Sequence, residues 1–160
     1  MIRTLLIGCV LLLSACASQL PLPVRTPSLD LPMQLHVQRE QDGQHQDWLL
    51  VIQREGAAVR WSLMDPLGIP QARQKLVDGD WQADGLLPPN PQARELFAAL
   101  LFALTPTDEV PGNYPDAREV ADVRVLKPHW QIIYQAPQVF TVYLRGQPLN
   151  YHVTPLENAP

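Results

Sequence analysis

Seventeen of the 160 residues are proline, about twice the ~5% usage of an average protein. Each proline removes a backbone donor and fixes φ, so a chain this rich in it cannot be a bundle of long helices. Short elements joined by stiff turns remain, and the expected fold is rich in β-strand. With 46% hydrophobic and 18% charged residues, the chain suits one globular domain and excludes both a largely disordered protein and a multidomain enzyme. Twelve Lys and Arg against sixteen Asp and Glu give a formal charge of −4. No basic field exists to attract phosphate backbones, so nucleic acid is not an expected partner.

The first sixteen residues read as an address. Arg3 supplies a positive start, and the apolar run Leu5–Leu13 is far shorter than the roughly 20 residues a membrane-spanning helix needs. It ends in Leu13-Ser14-Ala15-Cys16, which is similar to the lipobox of bacterial lipoproteins. The alternative is a plain secretory signal with a chance cysteine at its edge. The lipobox reading makes residues 1–15 a signal peptide and Cys16 an acylated amino terminus. Its loss of Arg3 moves the formal charge from −4 to −5. Cys9 leaves with the signal, so no disulfide, thiolate nucleophile or cysteine metal site is expected. Ala17 follows the cysteine where the inner-membrane retention signal of bacterial lipoproteins places aspartate. The expected location is therefore the periplasmic face of a Gram-negative outer membrane.

Residues 16–33 contain Pro21, Pro23, Pro27 and Pro32 and read as a lipidated tether. The alternative is that Leu20, Leu22, Leu29 and Leu31 pack back on the domain. Residues 34–156 form the β-rich domain. Expected strands are Gln34–Glu40, Asp47–Arg54, Ala57–Met64, Ile69–Val77 and Asp80–Ala83, with turns at Asp42-Gly43, Glu55-Gly56, Asp65–Gly68 and Asp78-Gly79. Alternation places Val59, Trp61 and Leu63 on one face. Trp48–Ile52 is apolar on both faces, so this strand is expected to be covered on both sides or to line a cavity. One helix is clear, with Asn90 as N-cap, Pro91 in the first turn and Pro106 as the stop. Its Ala93, Leu96, Phe97, Leu100, Leu101 and Leu104 form one stripe, and Ala98, Ala99 and Phe102 make the second half apolar nearly all round. Residues 105–118 read as loop. Strands resume at Val120–Leu126, Trp130–Gln135, Val139–Arg145 and Leu149–Thr154.

Chemistry is scarce. His36, His45, His129 and His152 lack metal-site spacing, and no nucleophile elbow, phosphate loop or zinc motif occurs. Asp78, Asp80 and Asp84 resemble a calcium loop only until its twelfth position, which is Pro89 instead of glutamate. Asp65, Asp80 and Glu119 are carboxylates that nothing pairs for general acid–base work. No catalysis, metal or cofactor is expected. The aromatic residues leave two readings open: a packed core, or an apolar cavity able to hold acyl chains. Candidate lining residues are Trp48, Leu50, Trp61 and Leu63 from strands, Phe97, Leu100 and Leu101 from the helix, and Trp130.

The stretch Val59–Pro70, with Pro66-Leu67-Gly68 at a strand-to-strand turn and the leucine-rich helix downstream, resembles the LolB-like outer-membrane lipoproteins. The resemblance implies an α+β fold: a curved antiparallel sheet forming an open half-barrel, with one main amphipathic helix closing an apolar cavity. It also implies a carrier or receptor role, with lipid acyl chains or lipidated protein as cargo and a periplasmic lipoprotein carrier as partner. In that family the matching turn carries an exposed leucine that contacts the membrane, a role that falls on Leu67. The alternative function is a structural or assembly lipoprotein acting through a protein surface.

Overall fold

The computed structural model describes residues 20–85, 87, 88 and 90–156. The segment 1–15 expected to be a signal peptide and Cys16, the expected lipidation position, lie outside the described residues.

Ten strands form one antiparallel sheet. The first five are β1 (Met33–Gln41), β2 (Gln44–Glu55), β3 (Ala58–Met64), β4 (Pro70–Val77) and β5 (Asp80–Ala83). After the helical middle come β6 (Arg118–Val120), β7 (Val123–Leu126), β8 (Trp130–Ala136), β9 (Val139–Leu144) and β10 (Leu149–Pro155). The spatial order β5-β4-β3-β2-β1-β10-β9-β8-β7-β6 is two meanders joined where the first and last strands pair, Val37 opposite Val153. The edges β5 and β6 are not paired with each other, so the sheet is open. Tight turns set the register: Asp42 and Gly43 (φ 52° and 75°), like Asp78 and Gly79 (φ 50° and 86°), both take positive φ, as two-residue hairpins of matching twist require.

Two differences from the sequence reading have local causes. The stretch Val120–Leu126 is not one strand, because Ala121 turns the chain with φ 52° and splits it into β6 and β7. The segment 105–118 contains a 3-10 turn (Thr107–Glu109) and the single-turn helix α2 (Val110–Asn113), which follow the long helix α1 (Pro91–Leu104).

Helix α1 begins where the sequence places it. The Asn90 side chain accepts from the Ala93 N–H at 3.1 Å, satisfying one of the donors a helix start leaves free. The helix is not amphipathic, however: every residue from Leu96 to Ala103 is buried. Phe97 meets Trp61 and Trp81 at 5.6 and 5.9 Å, while Phe102 meets Tyr114 and Trp130 at 4.9 and 5.9 Å. Both meanders thus supply walls to the same helix, and the sheet face carrying Leu35, Leu50, Ile52, Ile132 and Val142 is fully buried beneath it.

The expected tether also differs. From Leu20 onward it is docked on the domain: Leu29 is buried, and Leu20 and Leu31 pack against the core. The Val24 N–H donates to the Asn113 carbonyl and the Arg25 N–H to Asn113 Oδ1 at 3.2 and 2.9 Å. The Ser28 N–H reaches the Glu109 carboxylate at 3.1 Å. Proline lowers the conformational freedom such a strap loses on docking, so the residues that suggest a spacer also suit a fixed strap.

Antiparallel order gives the sheet two distinct ends. The β1–β2, β3–β4, β7–β8 and β9–β10 turns share one end. The β2–β3, β4–β5, β6–β7 and β8–β9 turns share the other, where the strap passes Gly79 and enters β1.

Candidate functional site

The β3–β4 turn carries Leu67, the most exposed large hydrophobic side chain among the described residues. Asp65 organises it. Its Oδ1 accepts the N–H groups of Leu67 and Ile69, each at 2.9 Å, while its backbone carbonyl accepts the Gly68 N–H at 2.9 Å. An aspartate that satisfies its own turn in this way fixes the loop without outside help. Pro66 restricts one torsion, and Gly68 adopts φ 80°, a value that favours glycine. Leu67 is consequently held out on a stiff loop, 85% exposed, with Ile69 exposed beside it.

Next to Leu67 lies a groove of about 520 Å³. Trp48, Leu49 and Leu156 give it an apolar lining, and Pro66 and Leu67 border it. His36 Nε2 and Asp47 Oδ1, 2.8 Å apart, stand at its polar rim. Hydrogen bonds from His36 and Gln38 hold the Asp47 carboxyl below its usual pKa. The lining includes two carboxylates, Asp47 and Asp65, and neither lysine nor arginine. This groove explains the doubly apolar strand. Leu50 and Ile52 face the core, whereas Leu49 and Val51 are only half-buried on the outer face, so Trp48–Ile52 is covered on one side and not on both.

Of the residues expected to line an internal cavity, Leu50, Trp61, Leu63, Phe97, Leu100, Leu101 and Trp130 all lie in the core with at most 1% of their surface exposed. A water molecule finds no space against them, and they form packed core instead of cavity wall. Trp48 differs: it is half-buried, shares the inward face of β2 with Leu50 and Ile52, lies 6.2 Å from the buried Tyr151 ring and borders the groove.

A second recess of about 470 Å³ is bounded by the strap, the end of α1 and the β6–β7 and β8–β9 turns. Arg124 is its chemical centre, and sequence reading missed it. The side chain is 3% exposed and pairs with Glu119 Oε1 at 2.9 Å. Its Nη1 donates to the carbonyls of Phe102, Ala103 and Thr105 at 2.8, 3.2 and 2.8 Å. These are carbonyls that a helix end leaves unpaired, and the cation also suits the negative end of the helix dipole. The Tyr134 hydroxyl donates to the same Ala103 carbonyl at 2.7 Å. Every donor interaction here is structural.

The other flagged aspartates are likewise structural. Asp78 occupies a hairpin turn, and Asp84 bonds Arg60 Nε at 2.6 Å and Lys75 Nζ at 3.4 Å on the outer face. Burial pushes the Asp84 pKa upward, but the hydrogen bond and charge of Arg60, with those of Lys75, outweigh it and hold the carboxyl below its usual value. His36, His45, His129 and His152 do not assemble, and among the described residues no three His, Cys, Asp or Glu side chains come together as a metal site. No helix among the described residues is long and apolar enough to cross a membrane. No family model matches the chain, and no curated protein matches it as a relative.

Proposed function

We propose that this protein is a non-catalytic, lipid-anchored lipoprotein of the outer membrane, LolB-like in architecture, that works through its surface at the Leu67 end. The observation carrying this reading is the contrast between seven core side chains, among the described residues, with at most 1% of their surface exposed and a leucine held 85% exposed on an aspartate-braced turn. The half-barrel form has its own support. In a flat sheet β3 and β8 would lie about 24 Å apart at ~4.8 Å per strand, yet Trp61 and Trp130 both pack on the one helix α1. A sheet wrapped around its helix accounts for both contacts. The helix then fills the space in which a carrier of this architecture would hold acyl chains.

A fluorescent fatty acid titrated into the full chain tests the reading: the expected result is no enhancement. Saturable emission at micromolar probe that survives Leu67→Glu would overturn it and restore an internal cavity, whereas emission lost in Leu67→Glu would place the probe in the outer groove. A second reading, a receptor for lipid or lipidated cargo at the surface, is favoured by the apolar lining of the outer groove. Under both readings Leu67→Glu adds a carboxylate in open water. Its unfolding free energy should stay within about ±0.5 kcal/mol of the wild type, as measured by urea denaturation. A loss of several kcal/mol would show Leu67 to be part of the core.

A further inference from the structure

Ahead of β1 the strap, residues 20–32, lies on the domain without joining its secondary structure. None of these residues belongs to a strand or helix, and the ladder pairs of β1 begin at Met33, so lifting the strap breaks no sheet hydrogen bond. From β1 it runs past Glu109, whose carboxylate accepts the Ser28 N–H, to Asn113, which accepts the Arg25 N–H at Oδ1 and the Val24 N–H at its carbonyl. It then reaches the β4–β5 turn, where the Pro23 carbonyl lies 3.9 Å from where a side chain at Gly79 would begin. Glu109 and Asn113 belong to the short segment that leads into β6, one free edge of the sheet, and the β4–β5 turn borders β5, the other. The docked strap thus ties together the surroundings of both free edges.

We infer that the strap is a reversible latch that gives the anchor two lengths, short while docked and long when it opens, with sheet and helix staying folded in both states. Three observations support a separate opening. The strap's hydrogen bonds to the domain, among the described residues, converge on Glu109 and Asn113, and the Ser28 bond is exposed to solvent. Of the strap residues only Pro23, Pro27 and Leu29 are buried, and segments with few buried apolar contacts and solvent-exposed bonds open ahead of the core. Docking also has a cost at its own contact: Asn113 is 2% exposed, and its Nδ2 group has no hydrogen-bond partner among the described residues. Lifting Val24 and Arg25 off Asn113 lets water reach that amide, which removes the penalty of an unpaired buried donor. The prolines limit the freedom lost on docking, so the closed latch is the resting state. Cys16 precedes Leu20 by four residues, a reach of at most about 14 Å. Opening adds the thirteen residues from Leu20 to Met33, about 40 Å in the polyproline II form. The change of reach rests on the lipid-anchor reading above; the opening itself does not.

Amide hydrogen exchange on the full chain tests the opening. The Val24, Arg25 and Ser28 amides should be protected, with protection factors at least about a hundredfold below those of the ladder amides of β1. Leu29→Ser removes the largest apolar side chain that the strap buries. It should speed the strap amides about tenfold further and leave the β1 amides within about twofold of the wild type. Strap and β1 amides that exchange together, or that Leu29→Ser accelerates equally, overturn the inference, because the strap is then part of one cooperative core. Strap amides as fast as those of a free peptide overturn it too, since no latch closes. The reach is read on the lipidated chain in phosphatidylcholine vesicles, by energy transfer from a dye on Leu67→Cys to rhodamine-labelled lipid. Leu29→Ser should lower the transfer, and unchanged transfer overturns the two-length anchor. Protein that does not stay with the vesicles refutes the lipid-anchor reading instead, and the exchange result is independent of it.

Discussion

Arg124→Ala should lower the unfolding free energy by about 3–5 kcal/mol, the range for removing one partner of a buried charge pair. The guanidinium holds three carbonyls at the end of α1 together with the Glu119 carboxylate. It also lies 5.7 and 5.4 Å from the ring centres of Phe102 and Tyr134. Alanine leaves buried acceptors without donors and opens space beside two aromatic rings, and both changes destabilise. Glu119 is 28% exposed and can be solvated when its partner is gone. Glu119→Gln leaves the guanidinium its three carbonyls and an amide acceptor, and should cost less, about 1.5–3 kcal/mol, the range for a hydrogen bond to a charged group. Urea denaturation of the two variants separates the terms. An Arg124→Ala loss below about 1 kcal/mol would mean that water reaches the helix end and that the buried network contributes little.

Trp61→Ala should cost about 3–5 kcal/mol, the usual range for truncating a buried aromatic residue. Trp61 has no exposed surface, and its ring centre lies 5.4 Å from Trp81 and 5.6 Å from Phe97. Its indole N–H, however, has no hydrogen-bond partner among the described residues, so part of the benefit of burying the ring is offset. Trp61→Phe keeps most of the apolar contact and removes that N–H, and its loss should be well below that of alanine. The alanine variant also carries a functional reading. If the helix occupies the space of a former acyl-chain cavity, emptying the Trp61 site should let a fluorescent fatty acid bind where the wild type leaves it dark. A variant that is destabilised but still dark would show that its core collapses around the gap.

Alternation identified the strands well where the two faces differ in polarity. Val59, Trp61 and Leu63 face inward as expected, and the helix bounds follow from Asn90, Pro91 and Pro106. The same rule failed at β7. In Val123-Arg124-Val125 polarity alone would turn the valines inward, but Arg124 is buried and the valines are half-buried. Leu126 sets this parity by packing into the core, and the helix end supplies the acceptors that make a buried guanidinium tolerable. That partner is 19 to 22 residues away in the chain, so no local pattern reveals it. The groove was partly legible: a leucine between proline and glycine points to an exposed tip. Its depth depends on Leu156 lying beside Leu49 and His36, a consequence of β10 pairing with β1. A closed core was equally compatible with the aromatic-rich strands, because composition cannot tell a wall from a filling.

The open sheet ends in two very short strands. β5 has four residues and β6 has three, and both include charged side chains: Asp80 on one edge, Arg118 and Glu119 on the other. An unpaired edge is a template for another chain's strand, and brevity with charge is how proteins blunt it. A second copy finds too few free backbone groups to continue the ladder from either side. Crowding such molecules together should therefore produce a dense population of separate domains and no β-linked fibre.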